Sequence, residues 1–186
     1  MSTKTPKQTN LFKKGSNCFG GELFKKRKGR AQPRPLATKR TMHLVLRSSK
    51  AKGDWSFLKP INAEQIKNIF HRFSAKYGVK ILSLANVGNH LHIHLKLGNR
   101  STYAPFIRAV TGAIAMAVTG QSRWAREKDS DGSIGKLKFW DYRPFSRIVV
   151  GLRAFLSLKD YLLINHLEGQ GYFRSEARIL IRARGS

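Results

Sequence analysis

Acidic residues and cysteine are both scarce. Of 186 residues only 10 are Asp or Glu, and Cys18 is the single cysteine. One thiol excludes an intramolecular disulfide and a cysteine-cluster zinc site. Long apolar runs are missing as well. The longest clean stretch, Ala113 to Val118, falls far below the roughly 18 residues a spanning helix needs. The N-terminus lacks the apolar h-region of a secretory signal, so no membrane partner is expected.

Positive charge, by contrast, is abundant. Thirty-six Lys and Arg give a formal net charge of +26. A polyanion is the expected partner, most simply nucleic acid, because clustered cations gain free energy by releasing condensed counterions. With 41% hydrophobic and 10% aromatic residues, the chain has globular usage and should bury a core. Its length suits one domain, with room for a tail.

The charge is unevenly placed. Residues 1–40 hold 8 Lys and 4 Arg against Glu22 alone, a surplus of +11. Lys25, Lys26, Arg27, Lys28, Gly29 and Arg30 run together, Pro33 and Pro35 follow, and little apolar periodicity is present. These features predict a largely extended basic arm over 1–40. A solvated tail or an organelle transit peptide would have similar composition. A folded domain is expected over 41–174 and a basic C-terminal tail over 175–186.

Within the domain, Met42 to Arg47 reads as a strand. Asn62 with Gln65 three residues on reads as a capping-box variant opening a helix. Its apolar positions Ile66, Ile69, Phe70, Phe73 and Tyr77 recur at helical spacing up to Gly78. Val79 to Val87 and His90 to Leu97 read as the second and third strands, and Pro105 to Thr119 as a second helix. Residues 126–135 read as a polar loop. Pro144 restricts the next segment to an edge or bent strand near Ser146 to Val150. Leu152, Phe155, Leu156, Leu163 and Leu167 mark a last helix. The order β-α-β-β-α-β-α predicts an α+β fold: a ferredoxin-like split βαβ antiparallel sheet with an added C-terminal helix.

His90-Leu91-His92-Ile93-His94 is the sharpest feature. Strand alternation sends the three imidazoles to one face and Leu91, Ile93 and Leu95 to the other. Two imidazoles at i and i+2 can converge on one divalent cation. A lone strand histidine is ordinarily a half-buried polar residue, but several on one face would repel when protonated. His90 and His92 are therefore candidate metal ligands.

Gly88-Asn89-His90-Leu91-His92 resembles the His-hydrophobic-His motif of HUH endonucleases, in the setting used by single-tyrosine transposases, and the chain is most similar to the REP-associated tyrosine transposases. The resemblance runs from about Met42 to Phe173 and includes His43, Phe139-Trp140, Arg143-Pro144-Phe145 and a final helix carrying Tyr161. Its most specific element is the third-strand motif followed about 70 residues later by a helical Tyr-x-x-x-Asn, Tyr161 to Asn165. The resemblance implies a metal-dependent single-strand DNA endonuclease and strand transferase, a transposase in which Tyr161 attacks a phosphodiester and becomes joined to the 5′ phosphate. It further implies that Asn165 completes the metal site with His90 and His92. An amide oxygen suits Mg²⁺ or Mn²⁺. Single-stranded or hairpin DNA is the implied substrate, a homodimer a common assembly, and the bacterial cytoplasm, at the nucleoid, the implied location.

A phenol is a weak nucleophile at neutral pH until its anion is favoured. A neighbouring divalent ion can offset the charge that develops on the phosphate. Tyr77 completes an apolar stripe, Tyr103 opens a helix, Tyr142 adjoins a proline segment and Tyr172 lies beyond the last helix. Only Tyr161 shares a predicted helix face with an amide, four residues on.

Two departures from the family pattern stand out. His166 follows Asn165 where Pro is common, and His94 occupies a position that is usually aliphatic; each could be an extra ligand, a proton shuttle or a surface histidine, and both stay outside the core site. His43 could approach the site from the first strand or be structural. For nucleic acid, Lys25, Lys26, Arg27, Lys28, Arg30 and Arg143 are the candidate phosphate contacts, with Arg34, Lys39, Arg40 and Trp140 as further candidates. The competing reading is a non-catalytic basic module for RNA or the ribosome, which would need neither the histidine strand nor the Tyr–Asn pair. A structural zinc protein is disfavoured by the single cysteine.

Overall fold

Alternating strands set the architecture. The computed structural model describes residues 19–20, 34–122, 124–128, 132 and 134–183. In chain order the elements are β1 (Phe19–Gly20), β2 (Met42–Arg47), a 3₁₀ turn (Gly53–Trp55), α1 (Pro60–Tyr77), β3 (Val79–Asn86), β4 (His90–Leu97) and α2 (Tyr103–Thr119). Then come β5 (Arg126–Lys128), β6 (Ile134–Lys136), β7 (Phe145–Ile148), α3 (Leu152–Gly169) and α4 (Arg174–Ala183). The main sheet has the order β1-β7-β2-β4-β3 with antiparallel pairing throughout. β4 lies between β2 and β3, the two strands that α1 connects. This is the expected split βαβ arrangement.

Met42, Leu44 and Leu46 of β2 and Leu91, Ile93, Leu95 and Leu97 of β4 are almost wholly buried. They form one core with Ile66, Ile69 and Phe70 of α1 and Phe106, Ile107, Val110 and Ile114 of α2. Each such side chain contributes about 1.5–3 kcal/mol on burial, so the helix side of the sheet holds the fold together. The opposite face is left to α3, which packs on β3 and β4, with α4 against α3.

Several boundaries differ from expectation. α1 starts at Pro60, ahead of the expected cap, because proline's fixed φ and missing N–H suit a first turn. Asn62 is instead buried, and its Nδ2 donates to the carbonyls of Asp54 and Ser56, both at 2.8 Å, tying the 3₁₀ turn to the helix. α2 begins at Tyr103, two residues early. The expected polar loop contains a short hairpin, β5–β6, which an ion pair between Lys50 and Glu127 anchors to the domain. The stretch expected as a basic tail is mostly α4, whose Ala177 is fully buried and whose Arg174 pairs with Glu168 of α3 at 3.1 Å.

β7 follows Pro144 directly and pairs with β2 on one side and with the two residues of β1 on the other. At the end of α3, a Cβ on Gly169 would collide with the carbonyl oxygen of Asn86. Glycine there lets the helix press onto the end of β3, which fixes the depth at which α3 crosses the sheet. No helix among the described residues is long and apolar enough to cross a membrane.

Candidate active site

Because Leu91, Ile93 and Leu95 fill the core, His90, His92 and His94 must face α3. β2 adds His43, Val45 and Arg47 to the same face: His43 pairs with His94, Val45 with His92, and Arg47 with His90. β7 adds Arg147, opposite His43. Four imidazoles from two adjacent strands therefore share one surface beneath a helix.

Tyr161 of α3 meets this surface. Its ring stands perpendicular to His92 at a centroid distance of 5.3 Å, and edge-on to His43 at 6.1 Å. His90 and His92 are 4.8 Å apart at 78°. Of the five tyrosines, Tyr161 is the one in ring contact with histidine. Tyr77 stacks on Phe73 in the core, and Tyr172 is exposed. Leu162, buried beside Tyr161, seats the helix. Asn165 is 5% exposed, and its Nδ2 donates to the Tyr161 carbonyl at 2.6 Å. That bond folds the amide back along its own helix, one turn toward Tyr161.

The imidazole nitrogens are unequally engaged. His90 Nδ1 lies 2.6 Å from Asn89 Oδ1, an acceptor, so this nitrogen carries the proton. His92 Nδ1 lies 3.1 Å from His43 Nε2. His92 Nε2 is buried with no hydrogen-bond partner, which is uncommon for an interior polar atom. His94 takes a different part: it is 2% exposed, bonded through Nε2 to Thr41 Oγ1 at 2.8 Å and packed on Phe155. It is thus neither a surface residue nor in ring contact with Tyr161. His166 is exposed beside Gln170.

Burial and mutual proximity keep these rings neutral. Desolvation, then His43 and His90, bring His92 down to about 3. Desolvation, then His94 and Arg147, bring His43 down to about 4. Desolvation followed by Arg47 lowers His90, and desolvation lowers His94. Neutral imidazoles are the form that ligates metal.

A stability profile follows from the sign of these shifts. Above an ordinary value of 6.5 folded and unfolded chains both hold neutral rings, and the pair adds no pH dependence. Below it the unfolded chain takes up protons that the folded one refuses, so stability falls continuously toward about pH 4. Thermal melting in EDTA should therefore show a Tm that declines between pH 7 and 5, with a shallower decline in His43→Phe. A flat wild-type profile would contradict buried neutral imidazoles.

Sequence reasoning did not single out Arg47 and Arg147 for this site. Both are exposed at the margin of the imidazole row, and Arg47 lies 3.5 Å from Asp141. Their placement depends on strand register, which no local pattern encodes. Arg143 is exposed in the segment leading into β7. Lys25, Lys26, Arg27, Lys28 and Arg30 lie outside the described residues. Trp140, expected among the base-stacking candidates, packs instead on Phe57 and Phe139 and donates to the Thr111 carbonyl at 2.9 Å. Its indole is occupied on the helix side of the sheet.

Among the described residues, no three His, Cys, Asp or Glu side chains are grouped as a metal site. His90 and His92 stand side by side at 4.8 Å between ring centroids, and the described side-chain contact of Asn165 is to the Tyr161 carbonyl. An orphaned, buried Nε2 beside a second neutral imidazole fits a divalent cation, which would satisfy that lone pair.

A family profile described as "Transposase IS200 like" matches residues 37–162. Among solved structures, a REP-associated tyrosine transposase bound to a REP hairpin superposes with a TM-score of 0.56 at 11% identity, covering 75% of this chain and 74% of that one. A candidate transposase from Deinococcus radiodurans R1 is 19% identical, covering 76% of this chain and 98% of that one, but its TM-score of 0.40 lends no weight. No curated protein matches the sequence.

Proposed function

Since the chain belongs to the IS200-like transposases, enzymes of the single-tyrosine HUH class, we propose that it cleaves and rejoins single-stranded DNA through a phosphotyrosine at Tyr161. The observation that carries this is the contact of the Tyr161 ring with His92, beside His90, on the face that α3 covers. Tyr161 Oη attacks the phosphorus, its proton passes to water, and the bond from phosphorus to the 3′ oxygen breaks. The 3′ oxygen leaves as a hydroxyl after gaining a proton. The 5′ phosphate stays on the tyrosine, so its bond energy is retained for joining, which is the reverse attack by a 3′ hydroxyl.

His90 and His92 through Nε2, and Asn165 through its amide oxygen, would hold Mg²⁺ or Mn²⁺. When bound, such an ion polarises the scissile phosphate and offsets charge in the transition state. The remaining work belongs to the chain. α3 orients the phenol against two rings, the sheet face excludes water beneath it, and Arg47, Arg147 and Arg143 attract the phosphate backbone. The contact of Tyr161 with His92 within one chain supports a tyrosine acting in cis. Hairpin or single-stranded DNA is the substrate, which places the enzyme at the nucleoid. A non-catalytic RNA or ribosome module would leave the histidine–tyrosine cluster without a use.

The direct test is covalent capture. An end-labelled hairpin with single-stranded flanks, incubated with protein and Mn²⁺, should yield a band that survives denaturation and disappears with protease. Tight binding with no adduct on any single strand would overturn the reading.

The arm should supply affinity. Replacing Lys25, Lys26, Arg27, Lys28 and Arg30 together by Gln should flatten the log–log salt dependence of binding by about 0.7 for each phosphate that the arm no longer neutralises. Cleavage at saturating substrate should stay within about twofold of wild type, because counterion release drives association and adds nothing once the DNA is bound. An unchanged slope would assign the arm to another partner.

A further inference from the structure

We infer that His43 is a positioning residue for His92: it accepts a hydrogen bond from His92 Nδ1–H and so holds the Nε2 lone pair of His92 toward the metal position. The inference rests on the proposed cation site. Its basis is the 3.1 Å contact between His43 Nε2 and His92 Nδ1 together with the unpartnered, buried His92 Nε2.

Only two neutral arrangements fit this contact, because one proton is shared between two nitrogens. If His43 donated, His92 would have to carry its own proton on Nε2. That N–H would then be a buried donor without an acceptor, which bears its full desolvation cost. If His92 donates from Nδ1, its Nε2 is a lone pair, which a cation can satisfy. Free imidazole has no such constraint, so the neighbour decides. His90 shows the same logic with a different partner: Asn89 Oδ1 takes its Nδ1 proton and leaves Nε2 open. Both candidate ligands are thus tied at Nδ1 and open at Nε2, one by an amide and the other by an imidazole from the neighbouring strand.

The near-coplanar ring geometry supports a fixed orientation. The rings of His43 and His92 lie 5.3 Å apart and 20° from parallel, and Tyr161 stands edge-on to both. His43 is itself held on the sheet by its backbone pairing to His94 and Arg147. Such outer partners of a ligating imidazole are worth about 10–100-fold in metal affinity.

The test uses the full chain and two readouts other than cleavage. In the metal-free wild type, ¹⁵N–¹H imidazole correlations should show His92 protonated at Nδ1. In His43→Phe, which keeps a ring but offers no acceptor, the proton should move to Nε2, and the Kd for Mn²⁺ measured by paramagnetic resonance should rise about 10–100-fold. His43→Gln, whose side-chain oxygen reaches the position of Nε2, should restore both signals. If His43→Phe fails to fold, the wild-type spectrum still decides: a proton on His92 Nε2 would refute the inference. Failure of the underlying site looks different. There, wild type and His90→Ala would bind Mn²⁺ equally, whereas normal Mn²⁺ affinity in His43→Phe with loss in His90→Ala would remove only the role of His43.

Discussion

Tyr161→Phe should abolish the covalent protein–DNA adduct while leaving fold and DNA affinity nearly unchanged. The substitution removes one hydroxyl from a half-buried ring, and the ring contacts with His43 and His92 do not need that oxygen. A surface-accessible hydroxyl deletion shifts stability by about 0.5 kcal/mol or less. The chemistry has no substitute, because no other tyrosine is in ring contact with the imidazole row. Adduct formation should therefore drop below detection on a denaturing gel of end-labelled single strand, with Kd within about twofold, since the deleted group contributes no phosphate-binding charge. Duplex DNA should react poorly even with wild type, since α3 must bring the phenol to an unpaired, splayed strand. An adduct that persists in Tyr161→Phe, or peptide mapping that places it on Tyr142 or Tyr172, would assign the nucleophile elsewhere.

His90→Ala should lower cleavage by about three orders of magnitude at fixed Mn²⁺ and leave DNA binding intact. Loss of a ligand forfeits several kcal/mol of transition-state charge stabilisation, and about 1.4 kcal/mol corresponds to tenfold in rate. His90 is the better site for this substitution than His92, because it is only half-buried and its removal leaves little cavity. Asn165→Ala should act in the same direction but more mildly, raising the Mn²⁺ needed for half-maximal cleavage about tenfold. Full wild-type activity in excess EDTA would rule out the cation, and unimpaired cleavage by His90→Ala would remove this histidine from the site.

Local periodicity alone determined much of this arrangement. A period of two sends Leu91, Ile93 and Leu95 to one face and His90, His92 and His94 to the other, so the imidazole row is legible in five residues. A period of 3.6 sets Asn165 one turn from Tyr161 on α3. Element order was enough for the ferredoxin-like topology, since short connections leave few ways to arrange two βαβ halves. The short strands β5 and β6 were not legible, because three residues carry too little pattern to separate hairpin from loop.

Only the tertiary structure decided what meets what. His43 reaches His92 across 49 positions of sequence, and Arg147 lies beside His43 because β7 pairs with β2 in one register. A shift of one residue would turn both side chains to the other face. Likewise, nothing local states that α3 covers the face opposite α1 and α2, or that Gly169 lets it close onto Asn86. Spacing along a strand or helix is a property of the backbone and can be read directly. Contacts between elements depend on how every buried side chain packs at once, and that exists only in the folded chain.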